Sequence, residues 1–383
     1  MKKKLLILSI IIMIIIIPNY SNAESSKVIE EQKETLGISD FLKEAEKYKE
    51  DTIVEDMDLY ELLNSELSGS IDNKTILEKI LKAFGVELKS TIKTLITILV
   101  IVVIHSILKT ISEDLQNGNI SKIIYYVQYI LIITVVMSNF TEILSQIKET
   151  IDNLVGFMNI LAPLLVTLMV YTGSITTSGV LEPIILFMIN FIGNIIESLI
   201  MPVVSIITVL VIVSKISDRV QIDKLYKFMK SSIVWFLGII LTVFVGVISL
   251  EGTLTSSVDG ITAKTAKAAV SSVIPVVGKI LGDAVETVIG CGILLKNATG
   301  FIGVIIILGI CINPILKLST LSIAYSIASS IIEPIADKKI VSLLEEIGGI
   351  FKLLLAILCS VSVLLIIGVT LVIKITNSGA MYR

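Results

Sequence analysis

The run IKTLITILVIVVIHSILKTI at residues 92–111 decides the fold class of this chain. Its length matches the ~20 residues that a helix needs to cross a bilayer, and its lysines lie near its ends. Similar apolar runs follow at 123–144, 154–172, 180–198, 199–214, 231–250, 300–317, 318–336 and 351–374. The sequence therefore predicts an all-α, polytopic membrane protein with about eight or nine spans.

Composition supports this prediction. The 383 residues are 54% hydrophobic, and the mean hydropathy is +0.93. Soluble globular domains have about 45–50% apolar residues even when glycine is counted. The three cysteines, Cys291, Cys311 and Cys359, lie in apolar surroundings without CxxC spacing, which argues against a disulfide framework or a zinc site.

Residues 1–23 have the pattern of an export signal. Three lysines precede an apolar stretch from Leu5 to Ile17, and Ser21-Asn22-Ala23 offers a small-residue cleavage site. Because such a signal delivers the following segment across the membrane, we expect the mature N-terminus to be extracytoplasmic. After five crossings from that start, the most basic short loop, Lys215–Lys230, is cytoplasmic, in accord with the positive-inside rule.

Charge divides the mature chain into two predicted domains. Residues 24–90 hold 17 of the 34 acidic residues and 9 of the 31 Lys and Arg residues, so this helical extracytoplasmic region has a net charge of −8. With few large apolar residues, it should become ordered only against partners or against the membrane body. Residues 91–383 form the multi-spanning membrane domain, and nucleic acid is excluded as a partner because no basic, aromatic patch is present.

Within the membrane domain, the segment 259–299 is distinctive. It is rich in Gly, Ala, Ser and Thr, with ionisable residues spaced among them. Small residues allow membrane helices to approach closely. A water-facing or subunit-facing element, a re-entrant pair and an amphipathic interfacial hairpin all fit this pattern, and so does a true crossing at 268–295.

A few polar residues inside apolar runs are candidates for a pathway. Glu182, Glu197 and Glu333 need a partner or water, since a carboxylate costs ~2.5–3.5 kcal/mol at mid-membrane on insertion scales. Asn190 and Asn194 share a helical face with Glu197. A lined pathway and ordinary inter-helix hydrogen bonding both fit, and for the single histidine, His105, hydrogen bonding to another helix is favoured over a proton relay.

Proline spacing suggests internal duplication in one of two incompatible registers. An offset of 151 aligns Ser178–Ile184 with Ser329–Ile335, and an offset of 112 aligns Pro163 with Pro275 and Pro202 with Pro314. Duplication matters because permeases are commonly built from repeats.

No nucleotide-binding, metalloprotease or serine-hydrolase motif occurs in the sequence. We therefore expect no enzymatic activity, no catalytic residues, no cofactor and no metal.

Two stretches resemble a known family. They are SVIPVVGK at 272–279, continuing through Gly282–Thr287 and Leu295–Asn297, and EPIADKKI at 333–340. They are similar to the signature of the stage III sporulation protein AE family of endospore-forming bacteria. The resemblance implies a mother-cell membrane complex with a secretion-type ATPase, ring-forming proteins and a forespore channel partner. It offers no catalytic residues, only candidates for structure or assembly: Pro275, Lys279, Asp283, Glu286, Glu333, Pro334 and Asp337.

The resemblance favours one function over two alternatives. The expected function is a non-enzymatic core subunit of a sporulation-specific secretion or feeding channel, located in the mother-cell membrane around the forespore. An autonomous small-molecule or ion permease is the alternative, and a scaffold without a conduit is a third interpretation.

Overall fold

The computed structural model describes residues 26–50, 52–69, 73–114, 118–216, 222–273 and 277–381, and all regular structure in these ranges is helical. The predicted signal at 1–23 lies outside them. Three short helices come first: α1 (Ser26–Thr35), α2 (Ile38–Ala45), which continues as a 3-10 turn at Glu46–Tyr48, and α3 (Leu59–Ser68). Asp58 caps α3 by accepting hydrogen bonds from the amides of Tyr60 and Glu61.

Long helices form the rest of the protein. They are α4 (Asn73–Asp114), α5 (Gly118–Tyr171), α6 (Ile175–Ile195), α7 (Met201–Ile216), α8 (Asp223–Val273), α9 (Val277–Ile332) and α10 (Lys338–Met381). A π-helical turn at Ile196–Ile200 joins α6 to α7 without a loop. The predicted domain boundary at residue 90 falls inside α4. The predicted interfacial or re-entrant segment 259–299 covers the end of α8 and the start of α9.

The prediction of an all-α polytopic protein is confirmed, but eight or nine spans is too many. Six helices in the described part of the chain are long and apolar enough to cross a membrane. They cover Leu77–Leu108, Ile123–Tyr171, Ile175–Ile216, Asp223–Ile261, Thr287–Ile332 and Lys338–Ile375. Three pairs of predicted spans thus merge into three continuous helices.

The polar gap at 145–153 shows why two predicted spans merge. The stretch stays helical within α5 and is amphipathic. Ile143, Ile147, Ile151 and Leu154 are all buried, while Lys148 and Asp152 are exposed. Apolar residues at a spacing of three or four keep the helix packed on its neighbours across the charged stretch. The charges interrupt the hydropathy pattern but not the helix. Hydropathy therefore predicts two crossings where the structure has one long candidate span.

Prolines do not break these helices either. Pro163, Pro183 and Pro314 lie inside α5, α6 and α9, where neighbouring helices can satisfy the freed backbone groups. Pro202 follows the π-helical turn, a common way to absorb a local break in the hydrogen-bond ladder. At offset 151, Ser178–Ile184 lies near the start of α6, whereas Ser329–Ile335 covers the end of α9. That difference removes support for this repeat register.

α9 is the central helix of the bundle. It packs most extensively against α10 and also against α4, α5, α3 and α1, while α6 packs on α5 and α8. α4 runs parallel to α9. Thr91 donates a hydrogen bond to Thr320, and further along both helices His105 lies beside Asp337, just after α9. α5 runs antiparallel to α9, because Asn139 bonds Tyr325 and Gly292 lies against Tyr171.

Candidate functional site

The acidic N-terminal region is docked on the helix bundle. Gln32 of α1 donates to the Tyr171 hydroxyl at 2.9 Å and to the Val288 carbonyl at 3.3 Å. Phe157 of α5 is fully buried beneath Phe41 and Tyr48, with ring centroids 6.1 and 5.7 Å away. The region thus shares one hydrophobic core with the membrane domain. The sequence predicts that this region becomes ordered against partners or against the membrane body, and in the structure it is ordered against the membrane body.

Docking leaves the charges of this region facing outward. Among its described side chains up to Gly69, ten acidic side chains are exposed, against two exposed lysines, Lys43 and Lys47. The acids are Glu30, Glu31, Glu34, Asp40, Glu44, Glu50, Glu55, Asp56, Asp58 and Glu61. We call this surface the acidic face. Next to it, burial raises the pKa of Glu66 above its usual range.

Glycines in α9 and in α8 allow close helix packing. A Cβ at Gly300 would lie 2.2 Å from Cδ1 of Ile373 in α10, and one at Gly303 would lie 2.5 Å from Cδ2 of Leu161 in α5. Gly252 of α8 approaches Ile375 in the same way, at 2.1 Å. These three glycines lie outside 259–299; within that segment, a Cβ at Gly292 would lie 2.9 Å from Cδ1 of Tyr171 in α5.

Within that segment, the signature residues are only partly described. Pro275 falls in 274–276, outside the described residues. Lys279, Asp283 and Glu286 belong to α9, but their side chains are not among those described. Further along, Lys296 of the Leu295–Asn297 stretch is fully buried, so this cation lies inside the bundle.

Asp259 joins α8 to the start of α6. Its Oδ1 accepts from the Thr176 amide and its Oδ2 from the Thr177 amide, both at 2.9 Å. The carboxylate is only 5% exposed and meets the positive end of the helix dipole. The sequence places an aspartate in a small-residue segment but does not indicate which helix it caps.

We predict that Asp259→Ala destabilises the protein by about 2 kcal/mol, since it removes a cap and its interaction with the helix dipole. Asp259→Asn keeps one acceptor and should lose about half as much. Thermal unfolding of the detergent-purified chain measures both. Asp152→Ala, at an exposed position of α5, is the control, and an equal effect there would contradict the capping role.

His105 meets an acidic partner that its own span does not contain. Its side chain is buried, and Nε2 lies 3.4 Å from Oδ2 of Asp337, in the turn between α9 and α10. Asp337 belongs to the EPIADKKI stretch at 333–340. The pair therefore links the first long helix to that stretch, through a turn and not through another helix.

Basic residues gather at the same end of the bundle. Tyr125 donates to the Lys215 carbonyl at 3.0 Å, and Lys215 pairs with Asp223 at 3.2 Å. Lys227 pairs with Glu346 at 3.5 Å, which brings α10 to the start of α8. The start of α5, the end of α7, the start of α8 and the turn at 333–337 thus share one end of the bundle, which we call the basic end.

The three candidate pathway carboxylates are not brought together. Glu182 and Glu197 belong to α6 and its π-helical turn, whereas Glu333 is exposed in the turn after α9, beside Pro334. About 60 Å of helix separates Gly292, beside the turn before α6, from Glu333. The predicted stripe of Asn190, Asn194 and Glu197 does exist on one exposed face of α6.

Neighbouring polar contacts are local. Asn159 and Asn190 exchange hydrogen bonds between α5 and α6, and Ser198 donates to Asn194. Among the described side chains, no three His, Cys, Asp or Glu residues form a group that could hold a metal ion. What the arrangement offers is surfaces for assembly: the acidic face, the polar stripe and the basic end.

Comparison with known proteins identifies the family. The family model for stage III sporulation protein AE matches residues 57–376. Stage III sporulation protein AE of Bacillus subtilis (strain 168) is 30% identical over 291 residues, which cover 76% of this chain and 73% of that protein. No solved structure matches. The chain belongs to the stage III sporulation protein AE family.

Proposed function

We propose that this protein is a non-enzymatic core subunit of a sporulation-specific channel complex in the mother-cell membrane around the forespore. Membership of the family implies a role in sporulation. The observation that carries the finer proposal is the acidic face, docked on the helix bundle through Gln32 and the rings around Phe157. It is a preformed surface for partner proteins, which the family resemblance suggests are ring-forming subunits, a secretion-type ATPase and a forespore channel partner.

Rigid docking suits such a surface to a stable complex. A preordered face binds without the entropic cost of ordering a loose segment. Its one-signed charge favours partners with a basic surface and speeds their association. The matched stretch begins at residue 57, so the family model covers α3 as well as the membrane helices.

The six long helices support the predicted orientation. Three candidate crossings precede Lys215–Lys230, against five predicted, and either odd number is consistent with Lys215–Lys230 lying on the side opposite the N-terminal region. Continuing from there, the turn before Lys338 and Lys339 also becomes cytoplasmic, and the chain ends outside. Both basic turns then lie on the inner side, as the positive-inside rule requires.

Cysteine labelling tests this orientation. In a background without the three native cysteines, Glu61→Cys should react with an impermeant maleimide in intact cells. Lys224→Cys and Lys338→Cys should react only after permeabilisation, and all three positions are exposed in the structure. Labelling of Lys338→Cys from outside would contradict six crossings.

The core-subunit proposal is tested by reversing charge on the acidic face. We expect Glu31→Lys with Glu34→Lys to lower recovery of partner proteins from sporulating cells about tenfold, equivalent to ~1.4 kcal/mol. Both side chains are exposed on α1, so the helix bundle should fold unchanged. Co-purification followed by mass spectrometry measures the loss.

The matched control is Glu149→Lys with Asp152→Lys, another pair of exposed acids, on α5. This pair should keep wild-type recovery of partners. Equal losses in both double variants would mean that net charge alone matters. Undiminished recovery from the Glu31/Glu34 variant would overturn the assigned role of the acidic face.

An autonomous permease is the second candidate, and the polar stripe of Asn190, Asn194 and Glu197 supports it. The stripe borders a π-helical turn, a feature frequent at functional sites. Purified protein reconstituted alone into liposomes should then conduct ions or solutes, and Glu197→Gln should reduce the flux. Absence of flux from the reconstituted chain would remove this candidate.

A further inference from the structure

A groove of about 480 Å³ lies between α9 and α10 on the outside of the bundle. Its apolar wall is a stripe of isoleucines one helical turn apart, Ile323, Ile327 and Ile331, each 44–55% exposed. Its polar wall consists of Ser326, Ser330 and Lys352. Exposed isoleucines along a helix indicate a surface that an apolar molecule covers.

The polar wall presents one cation. Lys352 donates to the Ser326 hydroxyl at 3.3 Å, which uses one of the three donors of its ammonium group. The Ser326 and Ser330 hydroxyls donate to carbonyls of their own helix, at Ser322 and Ser326. The lysine is therefore the group in the groove best suited to meet an anion.

A second lysine lies near Lys352. Lys230 lies against Gly349, where its Nζ would be 2.5 Å from an added Cβ. It is repelled by Lys227 and Lys352 and attracted by Glu346. Glu346 also pairs with Lys227 at 3.5 Å, so the charged neighbours of Lys230 are two lysines and one carboxylate.

We propose that this groove binds an anionic phospholipid, with its phosphate on Lys352 and an acyl chain along Ile323, Ile327 and Ile331. Basic pockets between membrane helices favour anionic head groups, each lysine near the surface contributing about 1 kcal/mol. A phospholipid joins a charged group to a long apolar chain, and the groove places a cation beside an apolar wall. A free phosphate would leave the isoleucines uncovered, and a purely apolar ligand would leave the lysine without a counter-ion.

The experiment uses the full chain, purified in mild detergent and analysed by native mass spectrometry. The probes are phosphatidylglycerol and phosphatidylcholine with identical acyl chains. The protein should retain phosphatidylglycerol in preference to phosphatidylcholine. We expect Lys352→Gln to weaken phosphatidylglycerol binding about fivefold, the change that one lysine near an anionic surface supplies.

Three further variants separate the explanations. Lys352→Arg should stay within about twofold of wild type because it keeps the charge. Lys148→Gln, at an exposed lysine of α5, should leave binding unchanged. Ile327→Asn should weaken both lipids together, since it alters the apolar wall and not the cation.

Several results would overturn the proposal. Equal losses in Lys352→Gln and Lys148→Gln would mean general adsorption of anionic lipid. Equal retention of the two lipids would remove the role of charge. Full competition by soluble glycerol 3-phosphate would show a simple anion site without an acyl chain. Should Lys352→Gln fail to fold, wild-type binding by Ile327→Asn would refute the groove by itself.

Discussion

Replacing Gly300 with leucine is expected to separate α9 from α10 and to abolish recovery of the folded protein. A Cβ at this position would lie 2.2 Å from Cδ1 and 2.9 Å from Cγ1 of Ile373. α9 and α10 form the most extensive helix pair of the bundle, so displacing one disturbs the central helix. Overpacking costs about 1–3 kcal/mol for small additions, which we expect for Gly300→Ala, and leucine adds three further carbons.

Gly246 of α8 provides the matched control, because a Cβ there would meet nothing within 4 Å. Gly246→Ala should be neutral or stabilising, since alanine favours a helix by about 1 kcal/mol over glycine. Ile373→Ala should partly restore Gly300→Ala, because it removes the atoms that clash. Fluorescence-detected size exclusion after heating ranks all variants, and equal behaviour of Gly300→Ala and Gly246→Ala would contradict this packing.

The sequence can indicate that small residues let membrane helices approach closely, but it cannot indicate which helices meet. Glycine density shows that some helix approaches closely. It does not show that Gly300 meets Ile373 or that Gly303 meets Leu161, since those pairs depend on how distant helices are arranged. The same holds for His105, whose acidic partner Asp337 lies more than two hundred residues along the chain.

Fold class followed from hydropathy, but the number of spans did not. A hydropathy count assumes that each crossing uses about 20 residues and that polar gaps are turns. α5 contradicts this assumption, because Ile147 and Ile151 keep the charged gap helical by burying its inner face. A 54-residue helix is about 80 Å long, well beyond the ~30 Å hydrocarbon core, so part of it lies outside the bilayer.

Phe157→Ala is expected to release the acidic region from the helix bundle. The Phe157 ring is fully buried and contacts both Phe41 and Tyr48, so its removal leaves a cavity between α2 and α5. Truncating a buried phenylalanine typically costs 3–5 kcal/mol. The remaining contacts, of α1 and α3 with α9 and of Gln32 with Tyr171 and Val288, hold the region without this aromatic anchor. We therefore expect residues 26–68 to become sensitive to protease while α5–α10 stay protected.

Phe187→Ala separates this effect from a general loss of aromatic surface, because Phe187 of α6 is 64% exposed. That variant should keep wild-type protease resistance. Under the proposed function, Phe157→Ala should also lose partner proteins in co-purification, although every charge of the acidic face is retained. If it released the region yet kept its partners, the partners would recognise the acidic segment without its fixed position, and rigid presentation would have no part in assembly. If it kept both, the docking contact at Phe157 would be incidental to the fold.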